Sequence, residues 1–150
     1  MWSSVKSVKL STLFTKIVIL LVVAFGIALP FVIRKTSLAE SFILKGNEIG
    51  YILPVIYICC IIALVALWSL NRLLTNIKNE VIFVGKNVQI LRIISWCCFL
   101  AAAVLIFGSF FSLLFFLLSI MIGFIGLILR VVKNVFEAAV NLKTENDYTI

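Results

Sequence analysis

The sequence contains no histidine. The side chain that most often serves as a general base or metal ligand near neutral pH is therefore missing. Charge is scarce as well: Asp, Glu, Lys and Arg make up 13% of the chain, against about a quarter in soluble domains. Only 6 residues are acidic, and none lies within a long apolar run. Ion pathways, proton relays and voltage sensors need ionisable groups at membrane depth, so their lack argues against a coupled transporter or an ion channel. Ser and Cys have no histidine to activate them, the carboxylates sit on loops and tails, and no glycine-rich phosphate loop occurs. The chain is expected to be no enzyme and to hold no cofactor. Its 4 cysteines form two adjacent pairs, Cys59-Cys60 and Cys97-Cys98. Neighbouring cysteines do not form an ordinary structural disulfide with each other, and no CxxC or Cys/His spacing marks a metal site. Inside apolar runs these thiols act as small hydrophobes.

What is present is apolar surface: 64% of residues are hydrophobic, and the mean hydropathy is +1.27. A soluble globule of this size has too little interior to hide it, and a disordered chain has far less. An integral membrane protein of one domain, residues 1–150, is the class that remains. Charge-free runs cover 17 residues from Ile17 to Ile33, 23 from Ile49 to Asn71 and 37 from Ile93 to Leu129. A helix of the last length would be roughly 55 Å long against a hydrocarbon core of about 30 Å, so this run must turn back on itself. The hinge is placed from Phe107-Gly108-Ser109 to Ser112. Four spans follow, about 13–33, 50–70, 90–108 and 112–132, with cytoplasmic segments at 71–89 and 133–150.

Orientation follows from Lys and Arg, which favour the cytoplasmic side. With four spans and the N-terminus inside, 10 of the 13 basic residues lie inside and only Arg34, Lys35 and Lys45 outside. Three spans would divide them nearly evenly. The net charge of +7 is thus read as a topology signal and as contact with the lipid bilayer. No direct nucleic-acid binding is expected, because no nucleic-acid motif accompanies the charge. Trp68 and Trp96 suit the inner interface, and Tyr51 the outer one. The fold class is all-α: a membrane four-helix bundle with both termini in the cytoplasm.

Leu73, Leu74, Ile77 and Val81 recur at helical spacing, so residues 71–92 read as an amphipathic helix extending from the membrane or lying in its interface. Gly85 interrupts it, and Asn87 is placed as N-cap of the third helix. Val132, Val135, Phe136, Ala139 and Leu142 carry the fourth helix to about Leu142, with fraying at Thr144–Asp147. Small residues at Ala24/Ala28, Gly108/Ser112 and Ser119/Gly123, with Gly126, predict close helix packing within the monomer, with self-association as the alternative. Ser109, Ser112 and Ser119 are expected to bond their own helix backbone.

The segment FVGKNVQILRIISW, residues 83–96, resembles the pre-helix motif of a family of small bacterial membrane proteins, domain of unknown function 2975. Phe83, Asn87, Leu91, Arg92 and Trp96 carry that likeness. The tail resembles the family's ending at Val135, Phe136, Leu142, Glu145, Asn146, Asp147, Thr149 and Ile150. Ile82, Gly85-Lys86, Ala139 and Tyr148 depart from the pattern. The resemblance implies a bacterial cytoplasmic-membrane protein, multi-pass, that partners a small helix-turn-helix regulator often encoded beside such proteins. Candidate docking residues are Phe83, Asn87, Arg92, Phe136, Glu145, Asn146 and Asp147, with Arg92 expected to pair with Glu145 or Asp147. Immunity against a membrane-active peptide and an accessory transporter subunit are the alternative roles.

Overall fold

A computed structural model describes residues 4–35, 49–79, 84–110 and 113–148. They form four helices: α1 (Ser4–Lys35), α2 (Ile49–Lys78), α3 (Gly85–Gly108) and α4 (Leu113–Tyr148). No strand occurs among the described residues. All four helices are long and apolar enough to cross a membrane, and the chain is a multi-pass membrane protein.

The long charge-free run folds back where glycine permits it. Gly108 ends α3, and a turn follows at Ser109 and Phe110, while Phe111 and Ser112 lie outside the described residues. A Cβ at Gly108 would sit 3.2 Å from Val55 Cγ1 and 3.5 Å from the Phe115 ring. Glycine therefore lets the ends of three helices approach. Ile52, Leu105 and Phe115 form a buried cluster at this end. Leu73, Ile90, Leu91 and Ile94 form another at the opposite end, with Leu129 and Phe136 packed on it. These clusters make α2, α3 and α4 antiparallel neighbours. The helix α1 joins chiefly through α2, where the Tyr57 hydroxyl donates to the Gly26 carbonyl at 3.2 Å.

The close packing between α3 and α4 is the one the small residues predict, but the serines act differently. Ser119 is buried and its hydroxyl donates across the interface to the Ala102 carbonyl at 2.9 Å, not to its own helix. Ser95 does the same in the other direction, to the Gly126 carbonyl at 3.0 Å. The small residues bring the backbones close enough for each hydroxyl to reach a carbonyl of the facing helix, whose second lone pair accepts it. Ser109 keeps to its own helix, bonding the Ile106 carbonyl at 2.6 Å. Ala24 and Ala28 are exposed, so that pair is not a contact of α1 within the monomer. The face α1 turns inward carries Val22, Gly26 and Leu29 instead.

Three boundaries move. The helix α2 continues without a break to Lys78, with Leu73 and Ile77 of the 71–92 stripe against the α3 cluster. The helix α3 begins at Gly85, earlier than the expected start at residue 90. The helix α4 reaches Tyr148 with no fray at 144–147, because no proline and no glycine follows Gly126 to stop it. At 36 residues, α4 is roughly 54 Å long, well beyond the about 30 Å of a bilayer core. Its last turns therefore project from the apolar layer.

Most large apolar side chains on α1 and α4, Phe14, Leu20, Phe31, Leu117 and Phe124 among them, face outward, as lipid-facing residues must. An open apolar groove of about 740 Å³ runs among the four helices, and Cys59, Cys60, Cys97 and Cys98 all line it. All four are free thiols.

Candidate functional site at the basic end

The C-terminal part of α2, the first turns of α3 and the projecting part of α4 meet at one end of the bundle. Arg72, Lys78, Lys86, Arg92, Arg130, Lys133 and Lys143 all belong to these segments, so charge is concentrated there. Of the residues singled out from sequence, Asn87, Arg92 and Phe136 come together at this end. Phe83 lies outside the described residues, as does the side chain of Asp147.

Asn87 is not the helix cap. The boundary residue is Val84, in extended conformation at φ −134° and ψ 141°, and no side chain caps the helix. The Asn87 N–H donates to the Val84 carbonyl at 2.9 Å, which places Asn87 inside the first turn. Its side chain is only 1% exposed. The Asn87 Oδ1 accepts from Asn76 Nδ2 at 2.8 Å. A capping position would have left the amide at the surface. Tertiary packing instead uses it to fasten α2 to α3 across the linker. A polar side chain held this way fixes helix register, since a slip would bury an unpaired amide.

Phe136 packs on the buried cluster of Leu73, Ile90, Leu91 and Ile94. It sits one heptad after Leu129, which touches the same cluster. One face of the α4 projection is thereby seated on α2 and α3. The opposite face exposes Val135 and Leu142 at 63% and 67%. Ala139, Leu142, Lys143 and Asn146 line a shallow hollow near its end. Glu145 is exposed.

The carboxylate that faces Arg92 is Glu137, not Glu145. Arg92 Nη2 lies 3.7 Å from Glu137 Oε1, and Lys133 Nζ donates to Glu137 Oε2 at 2.6 Å. The register explains the correction. Glu137 falls on the same stripe of α4 as Lys133, one turn along, and that stripe faces α3. Glu145 is eight residues further, about 12 Å along the axis. The hydrogen bond and charge of Lys133, with the more distant charge of Arg92, hold the Glu137 carboxyl below its usual range. The carboxylate is thus ionised at neutral pH, and whatever the pair contributes is lost only as pH falls through that lowered value.

Four residues of this end are absent from the sequence-level candidates. Asn76, Lys133 and Glu137 complete the network, and the Arg130 guanidinium lies 5.8 Å from the centroid of the Trp96 ring. The i,i+4 spacing of Lys133 and Glu137 is a readable signal. That of Asn76 is not, because nothing local marks which of several asparagines is buried. No group of His, Cys, Asp and Glu among the described residues has the makings of a metal site.

No curated protein and no solved structure matches the chain. Residues 39–150 match the family described as "Protein of unknown function (DUF2975)". That stretch holds α2, α3, α4 and the whole Asn76–Asn87 and Arg92–Glu137–Lys133 arrangement, and the chain is a member of this family.

Proposed function

We propose that the protein is a non-enzymatic membrane partner for a small helix-turn-helix regulator, docked at the basic end on the cytoplasmic face of a bacterial membrane. The observation that carries this reading is the α4 projection. One face is immobilised by Phe136, and the other presents Val135 and Leu142 to solvent. A rigid helix with an exposed apolar stripe and a charged end suits recognition of a partner helix or groove. The prepaid order of the helix lowers the cost of binding. The concentration of Lys and Arg at this end supports its cytoplasmic placement.

Two experiments test the reading. A reporter fused after Ile150 is expected to give a cytoplasmic signal; an extracytoplasmic one removes the orientation and the dock together. In a pulldown with a small helix-turn-helix regulator as prey, wild type is expected to capture it, and Leu142→Glu and the triple change of Glu145, Asn146 and Asp147 to Ala are expected to abolish capture. Equal capture by wild type and both variants shows that the tail is not the dock.

A further inference from the structure

Between α3 and α4, a hollow of about 260 Å³ is lined by Arg92, Ser95, Trp96, Arg130 and Lys133. Arg92, Ser95 and Trp96 share one face of α3 at i, i+3 and i+4. Arg130 and Lys133 share one face of α4 at i and i+3. We propose that this hollow binds the phosphate group of an anionic membrane lipid.

The charge balance supports an anion. Three cations line the hollow, and among the described residues one carboxylate, Glu137, pairs with two of them, which leaves two positive charges uncompensated there. The donors are placed for the purpose. Glu137 is hydrogen-bonded to Lys133 at 2.6 Å, whereas Arg92 stands off at 3.7 Å, beyond hydrogen-bond reach. Arg130 meets no carboxylate among the described residues and lies over the Trp96 ring. A guanidinium held near a ring by cation–π attraction spends none of its N–H groups on that contact, so they stay available to bond a phosphate. The hollow is floored by Ser95, whose hydroxyl is already engaged by the Gly126 carbonyl, so the arginines and the lysine are the groups that meet the ligand.

The location favours a lipid over free phosphate. Arg92 and Arg130 bound the 37-residue charge-free run, so they mark the level where hydrocarbon gives way to headgroups. Trp96, 54% exposed, stands one turn inside that level, as interfacial tryptophans do. Exposed Leu100 continues the same face of α3 toward the interior, offering a track for an acyl chain. Basic hollows between membrane helices at the cytoplasmic level are suited to anionic headgroups.

The test is a titration of the full-length protein in neutral detergent with phosphatidylglycerol, with phosphatidylcholine, and with inorganic phosphate, counting bound lipid per chain by native mass spectrometry. Wild type is expected to retain phosphatidylglycerol in preference to phosphatidylcholine. Arg130→Gln with Lys133→Gln is expected to lower that preference about thirtyfold, at about fivefold for each cation near an anionic group. Lys9→Gln with Lys16→Gln removes the same charge from α1 and is expected to leave the preference unchanged. Glu137→Gln removes the competing carboxylate and is expected to tighten binding several-fold, an effect that misfolding does not produce. Equal losses in the two double variants mean diffuse surface charge and overturn the site. So does an unchanged preference in the pocket variant, or weaker binding by Glu137→Gln. Uptake of inorganic phosphate without preference for phosphatidylglycerol overturns the lipid as its source.

Discussion

Replacement of Gly126 by leucine is expected to separate α3 from α4 and to cost about 3 kcal/mol of stability. A Cβ at this position would stand 3.1 Å from the Cys98 Cβ and 3.4 Å from the Phe99 ring. The first contact is tighter than ordinary packing allows, and it is made by a Cβ, which moves only with its backbone. Overpacking of a close interface costs about 1–3 kcal/mol. The Gly126 carbonyl also accepts the Ser95 hydroxyl, and an interhelical bond of this kind is worth roughly 0.6 kcal/mol in a membrane protein. Two other helical glycines provide the contrast. A Cβ at Gly123 would make only ordinary contact, 3.8 Å from the Ala102 Cβ, and one at Gly26 would meet nothing within 4 Å. Gly123→Ala and Gly26→Ala are therefore expected to be tolerated. Unfolding followed by circular dichroism in a mild detergent ranks the three. Gly126→Leu unfolding together with wild type contradicts the packing described here.

The same residue shows what sequence alone delivers. Small residues four apart announce that helices pack closely, and between Ser119, Gly123, Gly126 and α3 they do. The pattern does not say which neighbour is approached. Ala24 and Ala28 have the same spacing and face outward, while the hydrogen bond of α1 to α2 is made at the Gly26 carbonyl, by Tyr57. The spans were legible for a stronger reason. Bilayer thickness and helix rise set a length that the run from Ile93 to Leu129 exceeds, so a turn had to fall within it, and Gly108 was its first glycine. Helix ends were less legible. Asn87 has the side chain of a cap, yet burial against Asn76 outweighs capping once α2 and α3 are in contact.

The basic end was legible in composition and illegible in pairing. Counting Lys and Arg placed Arg92, Arg130 and Lys133 together before any contact was known. Choosing the acid for Arg92 required the rotation of α4 relative to α3, and each residue added or removed between the two helices turns one by about 100°. No local signal sets that rotation; the Ser95–Gly126 and Ser119–Ala102 bonds do. They bring the stripe of Arg130, Lys133 and Glu137 to face Arg92, and leave Val135 and Leu142 on the far side. The proposed lipid site and the proposed dock therefore fall on opposite faces of one helix, and each is expected to be removable without the other.

Asn87→Ala is expected to cost about 2–3 kcal/mol, from the cavity it leaves and from the stranded amide of Asn76. Asn76→Ala is expected to cost less, since Asn76 is half-buried and water can replace part of what it loses. The two changes together are expected to cost less than their sum, because the hydrogen bond at 2.8 Å is broken once in either case. Asn87→Asp separates charge from shape. The carboxylate keeps an acceptor for Asn76 Nδ2, but it is buried where the wild-type side chain is 1% exposed. Burial disfavours the ionised form and raises the folded-state value above the unfolded one. The folded state then binds the extra proton, so the deficit relative to wild type is greatest at neutral pH and narrows as pH falls below the raised value. Taking the difference from wild type at each pH cancels the titration of Glu137, which both proteins share. Asn87 lies five residues before Arg92 on the same helix, so loosening it also frees the arginine from its place opposite Glu137. Asn87→Ala is therefore expected to weaken phosphatidylglycerol retention as well as stability, while Gly26→Ala alters neither. A deficit for Asn87→Asp that stays constant with pH would mean the side chain is reached by water, and that the Asn76–Asn87 bond does not hold the two helices in register.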